Sequence, residues 1–138
     1  MFYLVYVSSA VNPFSPAELV ELLTKAREKN SRLGITGMLL YKDGNFLQAL
    51  EGEEAAVRQL YDTISQDSRH HGEIILDEGE TAERQFSHWS MGFRNLDDKE
   101  VQATPGFSQF MNKPLNATDF KANPTVCWEL LNLFRDKM

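Results

Sequence analysis

Ile35-Thr36-Gly37-Met38-Leu39-Leu40-Tyr41-Lys42-Asp43-Gly44-Asn45-Phe46-Leu47-Gln48-Ala49-Leu50-Glu51 decides the fold. Two apolar runs, Ile35 to Tyr41 and Phe46 to Glu51, flank Lys42-Asp43-Gly44-Asn45. An Asp-Gly pair between such runs signals a β-hairpin, because the tight turn needs residues that tolerate positive φ. Gln48 interrupts the second run with a primary amide. Alternate side chains of a strand share a face, so Gln48 lies with Phe46 and Leu50 rather than with solvent. A buried amide carries donors and an acceptor that must be matched on that face.

Ahead of the hairpin, Phe2 to Ser8 is apolar on both sides, as expected of a central, covered strand. Ser15-Pro16-Ala17-Glu18 then reads as a helix start, with Ser15 as N-cap, proline at the first helical position and Glu18 closing a capping box. Leu19, Leu22, Leu23 and Ala26 follow at helical spacing, and Gly34 ends the helix. After the hairpin, Gly52-Glu53-Glu54 opens a second helix with acids where the dipole favours them. Val57, Leu60, Tyr61 and Ile64 form its buried stripe. Ile74 to Asp77 and Trp89 to Phe93 are two further strands. The order β-α-β-β-α-β-β predicts an α+β, ferredoxin-like sandwich, a five-stranded sheet with two helices on one face. The strands look apolar on both faces, so the second face needs a cover from the tail or from a partner. Residues 1–95 are assigned to this domain. Residues 96–138 are a C-terminal helical extension that packs on the sheet or on a partner, with Asn116 and Pro124 as helix starts.

The composition fits one such domain. The chain has 138 residues, 42% hydrophobic and 25% charged, as in soluble globular proteins. A net charge of -6 argues against a nucleic-acid partner, since such surfaces concentrate positive charge. The single cysteine, Cys127, forms no internal disulfide, and no apolar run approaches the roughly 20 residues needed to span a bilayer. Met1 to Val7 runs straight into a strand pattern instead of a basic-then-apolar leader. A cytoplasmic protein without membrane partner is expected.

Two further polar residues accompany Gln48. Tyr6 shares its strand face with Phe2 and Leu4, and taken alone is an ordinary core tyrosine. Asn30 stands on the core stripe of the first helix with Ala26, Leu23 and Leu19, where capping is an equal explanation. Capping cannot explain Gln48. Three hydrogen-bonding groups converging between sheet and helices, with no acid or base among them, suit a planar heterocycle with amide-like edges. Other clusters carry less. Asp67-Ser68-Arg69-His70-His71 lacks further ligands at metal spacing and reads as a solvated turn. Lys25, Arg27, Lys29 and Arg32, interrupted by Glu28, read as a solvated helix face. Ser8 and Ser9 have no base placed beside them, and neither does His88 have a nucleophile. Trp89 and Met91 share one face of the last strand, where plain core packing explains each.

Taken together, the chain resembles the BLUF family, photoreceptors that sense blue light with a flavin. The likeness runs from Phe2 to about Phe93. It is carried by Leu4-Val5-Tyr6-Val7-Ser8, by Asn30-Ser31-Arg32-Leu33-Gly34-Ile35-Thr36-Gly37-Met38-Leu39, and by Asp43 to Gly52. Asp67-Ser68-Arg69-His70 and Phe86-Ser87-His88-Trp89-Ser90-Met91 complete it. The resemblance implies non-covalent FAD held between the two helices. It implies that Tyr6 is the photochemical electron donor and that Gln48 links it to the flavin. Asn30 would bond the polar edge of the ring, Leu22 would pack against it, and Arg69 and His70 would lie near its other end and side chain. Trp89 and Met91 match the pair that exchanges places as the signal leaves. Ser31 and Lys29 flank Asn30 where the family often carries a second asparagine. No substrate is consumed, so the implied output is a reversible switch and not an enzyme. A separate downstream signalling protein or the protein's own oligomer would receive it, with Phe107, Phe110, Trp128 and Phe134 as contact candidates. Two other readings use the same topology. A small hydrolase of the acylphosphatase kind would need an arginine in Ser9-Ala10-Val11-Asn12-Pro13-Phe14, which has no cation. A light-insensitive interaction module would not need the Tyr6, Asn30 and Gln48 set.

Overall fold

A computed structural model describes residues 1–42, 44–87, 91–95 and 131–132. Its elements are β1 (Phe2–Ala10), α1 (Pro16–Leu33), β2 (Thr36–Lys42), β3 (Asn45–Gly52), α2 (Glu54–Ser65), β4 (His70–Glu80) and β5 (Gly92–Asn95). The strands make one five-stranded sheet in the order β4-β1-β3-β2-β5. The inner pairings are antiparallel, and β5 joins the edge parallel to β2. This is the expected ferredoxin-like arrangement with one added strand.

The local signals act as chemistry requires. Ser15 accepts from the Glu18 amide, and the Glu18 carboxylate accepts from the Ser15 amide, so both exposed ends of the capping box form. The other end of α1 closes on Gly34, whose φ of 69° is left-handed, while the Ile35 amide donates to Asn30 O at 2.9 Å. The β2–β3 hairpin pairs Lys42 with Asn45, and Gly44 between them takes φ 80°. Gly37 is required for a different reason. A Cβ there would stand 2.0 Å from the Ala49 carbonyl oxygen, so the two strands approach closely only because that atom is missing.

Period two sorts the sheet into two buried faces. Phe2, Leu4 and Tyr6 of β1, Leu39 and Tyr41 of β2, and Phe46 and Leu50 of β3 pack in one core with Leu19 and Leu23 of α1 and Val57 and Leu60 of α2. Val5, Val7, Met38, Leu40, Leu47 and Ala49 alternate with them and are at most 1% exposed. Residues on both faces of the sheet are therefore buried. Leu131 and Asn132 are helical, and Leu131 is fully buried; the rest of the expected C-terminal extension lies outside the described residues.

Two strand boundaries differ from expectation. β4 runs from His70 to Glu80 instead of Ile74 to Asp77, because β1 offers a pairing edge for that whole length despite the charged residues at its ends. β5 begins at Gly92 and not at Trp89, so Met91 sits in a bend ahead of the strand. Trp89 lies outside the described residues. The β4–β5 connection is held down by charge. Buried Glu51 accepts the Gln85 and Phe86 amides at 2.6 and 2.8 Å, while Arg84 donates to Thr36 Oγ1, Glu51 O and Gly34 O.

Candidate functional site

A cleft of about 200 Å³ opens between α1, α2 and the sheet. The strands supply its floor. Antiparallel register sets Tyr6 directly across from Gln48, and both side chains point to the helical face. The Tyr6 hydroxyl donates to Gln48 Oε1. The other end of the amide, Nε2, lies 3.5 Å from Met91 Sδ. Tyr6, Gln48 and Met91 are 3%, 6% and 1% exposed, so this is a buried row of phenol, amide and thioether. Burial pushes the Tyr6 phenol far above its ordinary range, with Tyr61 and Glu73 adding to the effect. The ring of Tyr61 meets that of Tyr6 edge-on, centroids 5.2 Å apart.

The first helix forms the wall opposite. Leu22, Ala26, Asn30, Lys25 and Lys29 line the cleft. Asn30 is buried and lines the cleft, and its backbone carbonyl takes part in the cap of α1. The two lysines, expected on a solvated face, also line the cleft, because their spacing from Leu22 and Ala26 keeps them on its rim.

At the far end the turn after α2 closes the site. Arg69 and Asp67 pair at 2.6 Å, and the hydrogen bonds from Arg69 hold the Asp67 carboxyl down at about 2. The Arg69 guanidinium stands 5.8 Å above the Phe14 ring, and Phe14 is fixed by its amide, which donates to Tyr41 Oη at 2.9 Å. His70 Nε2 lies 2.6 Å from Ile64 O, and Nδ1 lies 3.2 Å from Glu73 Oε1. Arg69 and His70 thus line the same cleft, with the Arg69 side chain about half exposed.

Of the residues singled out from sequence, Tyr6, Leu22, Asn30, Gln48, Arg69 and His70 line one cleft, and Met91 touches its amide. Trp89 lies outside the described residues. Ser8, Phe14 and Arg27 were missed. Ser8 shares the Tyr6 face by strand parity, the signal that could have found it. Its Oγ is buried against the cleft with no hydrogen-bond partner among the described residues. Arg27 donates from Nε to Met91 O at 2.9 Å, a contact between distant segments that no spacing reveals.

A flavin fits what these residues offer. The unpartnered Ser8 hydroxyl and the Gln48 amide present polar groups to the cleft, apolar Leu22, Leu39 and Ile64 flank them, and cations stand at the rim. Comparison with known proteins gives the family. The family described as sensors of blue-light using FAD matches residues 1–92.

The chain belongs to the BLUF family. It is thus a member of a family of flavin-binding blue-light sensors, and the matched region is the sensor unit. The BLUF chain is 37% identical over 89 residues to photoactivated adenylate cyclase subunit beta of Euglena longa, covering 64% of this chain and 10% of that protein. It therefore spans only about a tenth of that relative's length. Among solved structures, BlrB, a BLUF protein in its dark state, superposes with TM-score 0.78 at 29% identity, covering 99% of this chain and 96% of that one. BlsA in its photo-activated state gives 0.71 at 31% identity over 94% of each chain. A bacterial light-regulated adenylyl cyclase gives 0.71 at 28% identity, covering 99% of this chain and 36% of that one. No helix among the described residues is long and apolar enough to cross a membrane.

Proposed function

We propose that this BLUF chain holds FAD in the cleft and uses Tyr6 and Gln48 to turn blue light into a reversible hydrogen-bond rearrangement. The observation that carries the proposal is the buried Tyr6–Gln48 hydrogen bond, with Met91 Sδ at the amide's other end. Bound there and excited by blue light, the flavin supplies a strong one-electron oxidant with a polar edge that takes hydrogen bonds. Tyr6 is the electron source. Burial keeps its phenol protonated, so loss of an electron makes it shed the proton, and the acceptor it already touches is Gln48 Oε1. Electron and proton then return to Tyr6 while the amide stays rotated or tautomerised. Oxygen and nitrogen of an amide are nearly isosteric, so the two arrangements differ in hydrogen bonding far more than in packing. Changed bonding to the flavin edge moves its absorption slightly to the red.

Asn30 bonds the polar edge of the ring in this reading, Leu22 packs on it, and Arg69 and His70 hold its far end. Lys25, Lys29 and Arg69 on the rim favour the diphosphate of FAD over an unphosphorylated flavin. Residues 1–95 are the sensor and 96–138 the output extension. The signal leaves through Met91, Trp89 and β5 toward a cytoplasmic signalling protein or a second copy of the chain, with no nucleic acid or membrane involved. The test is an absorption spectrum of purified protein before and after blue light. A flavin band that shifts red and recovers in darkness is expected, with FAD released on denaturation. A colourless protein that cannot be reconstituted with flavin would sink the proposal.

A further inference from the structure

Met91 is where three elements meet. Its Sδ faces Gln48 of β3, its carbonyl accepts from Arg27 Nε of α1, and the next residue, Gly92, begins β5 and pairs with Met38 of β2. A methionine side chain has three soft torsions and by itself does not hold a sulfur in one place. What holds this one is its backbone, tied on one side into the sheet and on the other to α1. We propose that Arg27 is a positioning residue that keeps Met91 seated against the Gln48 amide and thereby shortens the life of the light-induced state. The inference rests on the function proposed above for Tyr6 and Gln48.

The sign follows from the groups in contact. Gln48 Nε2 is a donor, and Met91 Sδ is a weak acceptor, so the present orientation is matched. A rotated amide would face the sulfur with Oε1, setting two acceptors against each other. While Arg27 holds the Met91 carbonyl, Met91 cannot draw back to relieve that mismatch, and the rotated state is disfavoured. Without the tie Met91 retreats and the rotated amide survives longer. The same tie makes α1 sensitive to the amide, so the helix that lines the cleft reports its state along with β5.

Arg27 lies on the exposed side of α1, so its substitution leaves the core intact. Two variants separate the hydrogen bond from the charge. Arg27→Gln keeps an N–H donor at the same chain position as Nε and removes the charge, whereas Arg27→Met removes both. The full chain, loaded with flavin and kept in darkness, is labelled at its methionine methyls, and the Met91 signal is assigned with Met91→Leu. Arg27→Met is expected to move the Met91 methyl resonance and to slow dark recovery about threefold, the scale of one hydrogen bond. Arg27→Gln is expected to restore both toward the wild-type values. An unmoved Met91 signal in Arg27→Met, faster recovery, or equal behaviour of the two variants would overturn the proposal. The methyl signal is read without light, so a protein lacking photochemistry still reports whether Arg27 seats Met91.

Discussion

Replacing Tyr6 with phenylalanine tests the centre of the site, because it removes one oxygen and keeps the ring. Tyr6 is 3% exposed, its ring stays against Tyr61, and only the donor to Gln48 Oε1 is lost. Gln48 is 6% exposed, so no bulk water replaces that donor. Leaving a buried acceptor without its partner costs about 1–3 kcal/mol. For a chain of this size about 1.5 kcal/mol lowers the melting temperature by roughly 5 °C. Denaturant titration of Tyr6→Phe, Gln48→Leu and the double variant gives the pair's coupling, expected at about 1 kcal/mol. In flavin-loaded protein, Tyr6→Phe keeps the chromophore and loses the light-induced red shift. Additive stabilities would remove the hydrogen bond from the account, and an undiminished shift would remove Tyr6 as the donor.

Ser8→Ala deletes a buried hydroxyl that has no partner among the described residues. The flavin-free protein should therefore lose no stability, while flavin affinity falls about fivefold by equilibrium titration, the worth of one hydrogen bond. Gly37→Ala drives a Cβ into the Ala49 carbonyl and should cost about 3 kcal/mol or more, read as loss of the cooperative unfolding transition at moderate denaturant. Glu51→Ala takes away the carboxylate that anchors the Gln85 and Phe86 amides and should destabilise by roughly 2–3 kcal/mol, with faster hydrogen exchange at those two amides. The Asp67 carboxyl, held at about 2 against 3.8, contributes stability that is fully present above pH 3.8 and is lost as pH falls toward 2. An NMR titration of Arg69→Ala should return its midpoint toward 3.8, since Arg69 is the main cause of the depression.

Much of the fold was legible because its signals are local. The capping box at Ser15, the Gly34 stop and the Asp43-Gly44 turn act within a few residues, and strand parity set Phe46, Gln48 and Leu50 on one face without reference to anything distant. The row Tyr6, Asn30 and Gln48 was legible for the same reason, since period two and period 3.6 each leave one polar residue on an apolar stripe. What depended on tertiary contact was not legible. The length of β4 comes from the edge that β1 presents, the start of β5 from its parallel pairing with β2, and the Arg27–Met91 bond from two segments 64 residues apart. Lys25 and Lys29 lie on an exposed to half-exposed helix face, as the sequence suggests, but that this face also lines a cleft depends on what stands opposite.

That division bears on how the proposed switch would work. In the proposed function, the residues that read light are each legible from strand parity, a phenol on β1 and an amide on β3 that share one register position. Everything that would carry the signal away is set by long-range contact, through the thioether at the amide's far end and the carbonyl two bonds from its own α-carbon. A sensor built this way can keep its photochemistry fixed while its output varies. Changing residues around Met91, on α1 or at the edge strand, alters who is addressed without touching the Tyr6–Gln48 pair. The chemistry of the pair also explains why an amide suits the position. A carboxylate there could only accept from Tyr6, and an aliphatic side chain could not respond at all. Glutamine offers donor and acceptor at nearly equal shape, so a buried site can reverse its hydrogen bonds without reorganising its core. Gln48→Glu should for that reason retain the flavin and the fold yet lose the two-state response, measured as an absorption spectrum unchanged by blue light. A red shift that survives in Gln48→Glu would show that the amide's two ends are not what light exchanges.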